Sequence, residues 1–275
     1  MFWTILNIER VKTLFFPSFR TIIILHASLF ALIVLVAGSI QLNIQGVQIE
    51  KVLQFPHVWN TLAWIASWFN LLLGILAIIL VTNEFQFRTF RKQIIDGLTR
   101  DQLLIGKSAV FSILAIYTTA LVFAAGLIMG IAKSPSYELV NIVDGLNYLP
   151  VLFVQSLAYM LMAMLMAFIF RNPAITIVSF ILYFFPIEPI VRAFTPDAID
   201  KFFPAKVIAN LTPMPDFVGI SLGDMMQVIP GSEAEMETIG LIGESMPLLY
   251  ASIITIVYCI LFTLVSRIII TQKNF

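Results

Sequence analysis

Residues 83–108 read NEFQFRTFRKQIIDGLTRDQLLIGKS and lie between two long apolar runs. The chain is 60% hydrophobic and only 12% charged, against roughly a quarter charged in soluble domains. Yet this one stretch crowds Arg88, Arg91, Lys92, Arg100 and Lys107 together with Glu84, Asp96 and Asp101. It also ends in GKS, the closing letters of a phosphate-binding loop. The loop can be dismissed. Its amides wrap a phosphate only when a first glycine stands five residues before the second. Counting back from Gly106 reaches Asp101, a carboxylate that repels phosphate. The charges therefore need another explanation.

The apolar runs on either side supply the frame. A helix needs about 20 apolar residues to span the hydrocarbon core of a bilayer. Runs at 21–42, 58–81, 108–132, 149–170, 173–187 and 247–270 qualify as six spans of an all-α integral membrane protein, the fifth being short and broken at Pro186 and Pro189. With the N-terminus in the cytoplasm, the inner connections hold Arg10, Lys12, Arg20, Arg88, Arg91, Lys92, Arg100, Lys107, Arg171, Arg267 and Lys273. The outer ones hold Lys51, Lys133, Arg192, Lys201 and Lys206. That asymmetry orients both termini inward. The formal net charge of +0 thus hides a basic inner face and an acidic outer one. Residues 1–20 carry Glu9, Arg10 and Lys12 and no small-residue cleavage site, so an interfacial helix is expected rather than a cleaved signal. Its apolar side would be Phe2, Trp3, Leu6, Val11, Leu14 and Phe15.

Within the basic stretch, Phe87, Phe90 and Ile94 recur at helical spacing, and Arg88, Arg91 and Lys92 share another face. The pattern predicts a short amphipathic helix over 85–95. Gly97 is placed to end it in the left-handed conformation. TRDQ follows, with Thr99 as cap, Gln102 as its capping-box partner and Asp101 in the first turn against the helix dipole. Two readings compete for this segment. Its cations would fix topology and meet anionic lipid in any multipass protein. Alternatively, a capped helix–turn–helix with aromatics on one face is a docking element for a cytoplasmic partner.

The stretch resembles the segment between the second and third spans of type-2 ABC transporter permeases. Those proteins place an acidic residue at the end of the second span, a Gly/Thr-Arg element, a Gly-x-Ser/Thr-Arg turn, and a lysine opening the third span. Glu84, Thr89 with Arg91, Gly97 with Thr99 and Arg100, and Lys107 match. The glycine frequent before the threonine is Arg88 here. The span pattern, the interfacial helix and the long outer segment over 188–246 extend the resemblance to the whole chain. The resemblance implies a permease that pairs with a second copy or a related permease into a twelve-span dimer. Residues 84–100 would be the coupling helix docking on a separate cytoplasmic ATPase, which would hold the ATP and Mg. The chain itself would be no enzyme, would carry no cofactor and would bind no nucleic acid. A bacterial cytoplasmic membrane is the expected location. The cargo is not legible.

Elsewhere the spans are sparse in polarity. His26 would reach headgroups, while Asn70 and Gln155 suggest bonds between helices. This favours an apolar or amphipathic cargo. The small pairs Gly126/Gly130 and Ala163/Ala167 and the methionines at 160, 162, 164 and 166 read as packing. The single cysteine, Cys259, lies inside the sixth span, where it fills space. FFPIEPIVR breaks the fifth span, and Glu188 would pair with Arg192 four residues on, as an outer gate. Two other classes stay open: a non-transporting scaffold that recruits a cytoplasmic partner, and a membrane-embedded lipid-acting enzyme. The second lacks HExxH, GxSxG or paired intramembrane carboxylates in this sequence.

Overall fold

In lipid each backbone N–H and C=O must be bonded within its own segment, so long apolar runs become helices. The computed structural model follows that rule and describes residues 2–39, 43–44, 47–48, 52–135, 138–215 and 246–272. In chain order the helices begin with α1 (Phe2–Leu14), α2 (Pro17–Ser39), α3 (Val58–Ser67) and α4 (Asn70–Gln86). Then come α5 (Thr89–Ile95), α6 (Arg100–Lys133), α7 (Leu139–Val143), α8 (Tyr148–Phe170) and α9 (Pro173–Leu182). The chain continues with α10 (Glu188–Ala193), α11 (Asp197–Asp200), α12 (Pro204–Ala209) and α13 (Leu248–Gln272). A two-residue antiparallel pairing of Asn43–Ile44 with Val47–Gln48 is a minor exception to the helical architecture. Most of the predicted outer segment, 216–245, lies outside the described residues.

Among the described residues, five helices are long and apolar enough to cross a membrane: Pro17–Ser39, Arg100–Lys133, Val140–Phe170, Pro173–Ala193 and Leu248–Gln272. The chain is therefore a multi-pass membrane protein. α3 and α4 add a sixth crossing only if counted together, because they bend by 43° at a short break. The run over 58–81 was expected to be one span, and the structure bends it. Its break falls at Trp68 and Phe69, next to Asn70, which turns its amide onto α8.

α8 is the axis of the bundle. Its apolar window is 67% buried, against 17% for α2 and 33% for α6. It packs on α4, α6 and α13. Leu73, Leu76, Phe111, Met160, Met164, Phe168 and Phe180 meet there. Ala163 and Ala167 are fully buried in the same seam. Gly126 on α6 lets the Trp59 ring of α3 lie flat against the helix; a Cβ there would stand 2.6 Å from the ring. Both small-residue pairs thus serve packing within this chain.

Three local expectations need correction. The fifth span does not break at Pro186. A π-helical turn over Tyr183–Ile187 absorbs the proline's missing N–H, and the helix runs on through α10 to Ala193. His26 does not reach headgroups. It is fully buried between the rings of Phe69 and Tyr117, at centroid distances of 6.0 and 5.7 Å. Glu188 does not pair with Arg192, as described below.

A polar knot ties the end of the bundle opposite α5. Ser156 Oγ donates to Asn70 Oδ1 (2.7 Å), and Asn70 Nδ2 donates to Gln155 Oε1 (3.4 Å). Gln155 Nε2 in turn donates to the carbonyls of Ile208 (2.8 Å) and Ala209 (3.2 Å), closing the last turn of α12. Gln155→Leu leaves these carbonyls and the Asn70 Nδ2 group without partners in a buried site. The expected loss is about 2–3 kcal/mol, measured as a lower thermal midpoint in detergent.

Candidate functional site

The basic stretch folds as two helices joined through a strained residue. α4 runs to Gln86, and the chain turns at Phe87 and Arg88. Arg88 adopts φ 53°, ψ 26°, the left-handed conformation that only glycine enters freely. α5 then runs from Thr89 to Ile95. The predicted single helix over 85–95 is thus cut at Arg88. The cut also rearranges the predicted apolar face. Phe90 is buried against Phe85 (centroids 4.9 Å apart) and Phe168 (6.1 Å), and Ile94 packs on the same core. Phe90 is fully buried and Ile94 half-buried, so neither forms the outward apolar face. Phe87 is 70% exposed and Ile95 is 75% exposed. The outward surface is therefore Phe87, Arg88, Arg91, Lys92 and Ile95, three cations between two apolar side chains.

α5 ends in a Schellman turn. Gly97 N–H donates to Ile94 O (3.1 Å) and Leu98 N–H to Gln93 O (3.0 Å), with Gly97 at φ +98°. Two residues on, the capping box is complete. Thr99 Oγ accepts from Gln102 N–H (3.3 Å), and Gln102 Oε1 accepts from Thr99 N–H (2.9 Å). α6 continues without interruption from this cap into its membrane window. Arg100 and Asp101 fasten the start of α6 to the end of α13. The Arg100 guanidinium donates to the carbonyls of Ile270 (2.7 Å) and Thr271 (2.6 Å). Arg267 grips the Asp101 carboxylate at 2.8 and 2.7 Å.

Behind α5 lies a group of buried charges drawn from three helices. Lys107 (2% exposed) donates to Glu9 Oε2 at 2.7 Å and pairs with Glu84 Oε1. Lys12 reaches Glu9 Oε1 and Glu84 Oε1, both at 2.6 Å. Burial alone would raise the Glu9 pKa, but the two ammonium groups outweigh it and hold the carboxyl below its ordinary range. Thr89 Oγ1 donates to Glu84 O (3.3 Å), tying α5 to the same point. GKS now has a structural meaning. Gly106 lets α1 approach, with a Cβ there only 2.9 Å from Ile5, and Lys107 neutralises Glu9 and Glu84.

Glu9 escaped the sequence reading because Lys107, its fully buried partner, is remote, although Lys12 lies three residues on. The one signal was a lone carboxylate on a basic face, at i+4 from Ile5 on the helix side opposite Trp3 and Val11. In the structure Ile5, Glu9 and Thr13 form the buried side of α1, and Trp3, Val11, Leu14 and Phe15 stay exposed. Arg171 was read only as one of the inner cations. It follows the last turn of α8, takes φ 57°, and lays its guanidinium 5.3 Å over the Phe85 ring. Together with Glu84, Gln86, Arg88, Phe90 and Arg91 it borders a crevice of about 470 Å³.

Glu188 and Arg192 lie at the other end of the bundle and do not meet. Glu188 is 2% exposed and accepts from the backbone N–H groups of Ala205 (2.9 Å) and Lys206 (2.7 Å), capping α12. Arg192 donates to Asp200 instead (2.5 Å), where Lys206 also binds. Burial works against the Asp200 charge, but these two cations lower its pKa. The i,i+4 spacing was right for a pair. Glu188 satisfies two orphan amides in place of one guanidinium.

The buried charges balance, so removing one leaves a net charge without solvent. Glu9→Gln should cost about 3–5 kcal/mol, and adding Lys107→Met should restore most of it. The loss depends on pH in a defined direction. The folded pKa of Glu9 lies below its ordinary 4.5, so its contribution is present above that value and lost as pH falls through the folded pKa. Thermal midpoints of both variants at neutral and acid pH test this. Compared with known proteins, the chain matches no family model and no curated relative.

Proposed function

We propose that the chain is the membrane-spanning permease subunit of an ATP-driven ABC exporter. In this reading the bent α3–α4 pair is one span, which makes six, and the end carrying α5 faces the cytoplasm. α5 and its flanking turns, from Glu84 to Arg100, are the coupling element. A separate ATPase, holding ATP and Mg, docks on Phe87, Arg88, Arg91, Lys92 and Ile95. A second permease copy, or a related one, completes the transporter.

The observation that carries this reading is the continuity of the junction. An outward basic and apolar surface is followed by a Schellman turn, a full capping box and one unbroken helix into the membrane. No slack lies between the exposed surface and the span, so a push on α5 moves α6. The outward cations suit an acidic rim on the partner, and Phe87 suits an apolar socket. The sparse polarity of the spans favours an apolar or amphipathic cargo. Glu188, with α12, is a candidate outer gate, and Arg192 supports it through Asp200. A scaffold that merely recruits a partner would use the same surface. Vanadate-sensitive cargo movement separates the two.

Two measurements test the coupling reading. Arg91→Glu with Lys92→Glu should abolish co-purification with the ATPase while leaving the permease inserted; full retention of binding would remove α5 as the dock. At Gly97 a Cβ would meet nothing within 4 Å, so only its positive φ resists substitution. Gly97→Asn, which tolerates that conformation, should keep cargo-stimulated ATP hydrolysis. Gly97→Val should lose it, at a local cost of about 1–2 kcal/mol.

A further inference from the structure

Arg88 and Arg171 are the two non-glycine residues with positive φ among the described residues, at 53° and 57°. They are 83 positions apart in sequence and border the same crevice, with Arg91 as a third guanidinium. Non-glycine residues held in this conformation cost energy, and such strain gathers at binding sites. Glycine would relieve it at either position, and position 171 follows the last turn of a helix, where glycine is the common choice. This chain has arginine at both.

The surroundings indicate what three guanidiniums would bind. Arg171 comes directly after Phe170, the last residue of a candidate membrane helix, so the crevice sits where hydrocarbon meets headgroups. Its aromatic walls are Phe85 and Phe90. The adjoining turns of α8 and α9 expose Ile169, Phe170, Ile175 and Val178, a flank suited to acyl chains. Glu84 borders the crevice too, but Lys12 and Lys107 already neutralise it. Neither Arg88 nor Arg91 pairs with a carboxylate among the described residues. Guanidinium forks match phosphate oxygens in geometry and charge.

We infer that this crevice is a specific site for the phosphate of an anionic phospholipid in the leaflet on the α5 side. The site needs no ATPase, although it shares Arg88 and Arg91 with the surface proposed above as the dock. An occupied crevice would brace α5 against the end of α8 and present a lipid-dependent α5 to any partner.

The test uses the full chain in neutral detergent, titrated with phosphatidylglycerol or phosphatidylcholine and followed by thermal unfolding. Phosphatidylglycerol should raise the midpoint of the wild type, and phosphatidylcholine should not. Arg88→Gly with Arg171→Gly removes two guanidiniums and relieves both strained residues. It should unfold at the same or a higher temperature without lipid and bind phosphatidylglycerol at least about tenfold more weakly. Lys92→Gln, on α5 but outside the crevice, should respond like the wild type. An undiminished response in the double variant would reduce the effect to diffuse attraction and overturn the site. An equal response to inorganic phosphate would overturn it in favour of a free anion. Protection by poly-glutamate but not by phosphatidylglycerol would assign the crevice to an acidic protein and overturn it likewise.

Discussion

Glu9, Glu84 and Lys107 are withdrawn from water with Lys12 at their half-exposed edge, and the rest of this end of the molecule depends on how these two acids and two bases fit. Desolvating a charge costs several kcal/mol, and the mutual attraction offsets it only when every member is in place. Such a group adds little net stability over an apolar filling of the same shape. It adds specificity, because few arrangements of α1, α4 and α6 satisfy all four charges at once. α1 is therefore not free to drift on its exposed apolar side, and the start of α6 cannot slide along α4. In lipid this matters more than in water, since apolar helix faces gain nothing from meeting one another rather than acyl chains.

α5 inherits its rigidity from that junction. A helix of seven residues does not hold in isolation. Phe90 nails it to Phe85 and Phe168, Thr89 bonds the carbonyl of Glu84, and the Gly97 turn closes its far end. The conformational cost at Arg88 is tolerable because these contacts over-determine the turn. The backbone keeps the geometry that glycine would favour, and the side chain adds a cation that glycine would not.

Features governed by neighbours along the chain could be read from the sequence. The helical runs follow from the backbone's need for internal bonds, the Thr99–Gln102 box from a spacing of three, and the Gly97 stop from the single residue at ease with positive φ. Asn70 and Gln155 were recognisable as partners between helices because apolar surroundings leave a carboxamide little else. Features set by distant contacts could not be read. Nothing near Glu9 points to Lys107, 98 positions away, and nothing in FRTF reveals that Arg88 leaves the helix. That departure is why a regular 3,4 spacing assigned Phe87 and Phe90 to one face when one is exposed and the other buried. At Pro186 the local rule was correct that a donor is missing, but a wider helical turn absorbs the loss without ending the span.

The two polar centres lie on one helix. Asn70 begins α4, inside the knot with Gln155 and Ser156, and Glu84 lies one turn from its end, among the buried charges. Between them α4 is a continuous helix of about 20 Å at 1.5 Å per residue. The Asn70 knot holds the last turn of α12 through Gln155, and Glu188 holds its first turn. A displacement of α5 therefore has two stiff routes, α6 by the capped junction and α4 by the Glu84 carboxylate. α6 runs unbroken from Arg100 to Lys133, whereas α4 carries Asn70, whose knot with Gln155 holds the last turn of α12. Moved as a rigid body, α4 would bring a displacement of α5 to that knot. The 43° break before Asn70 is then the place where that motion is absorbed rather than passed to α3.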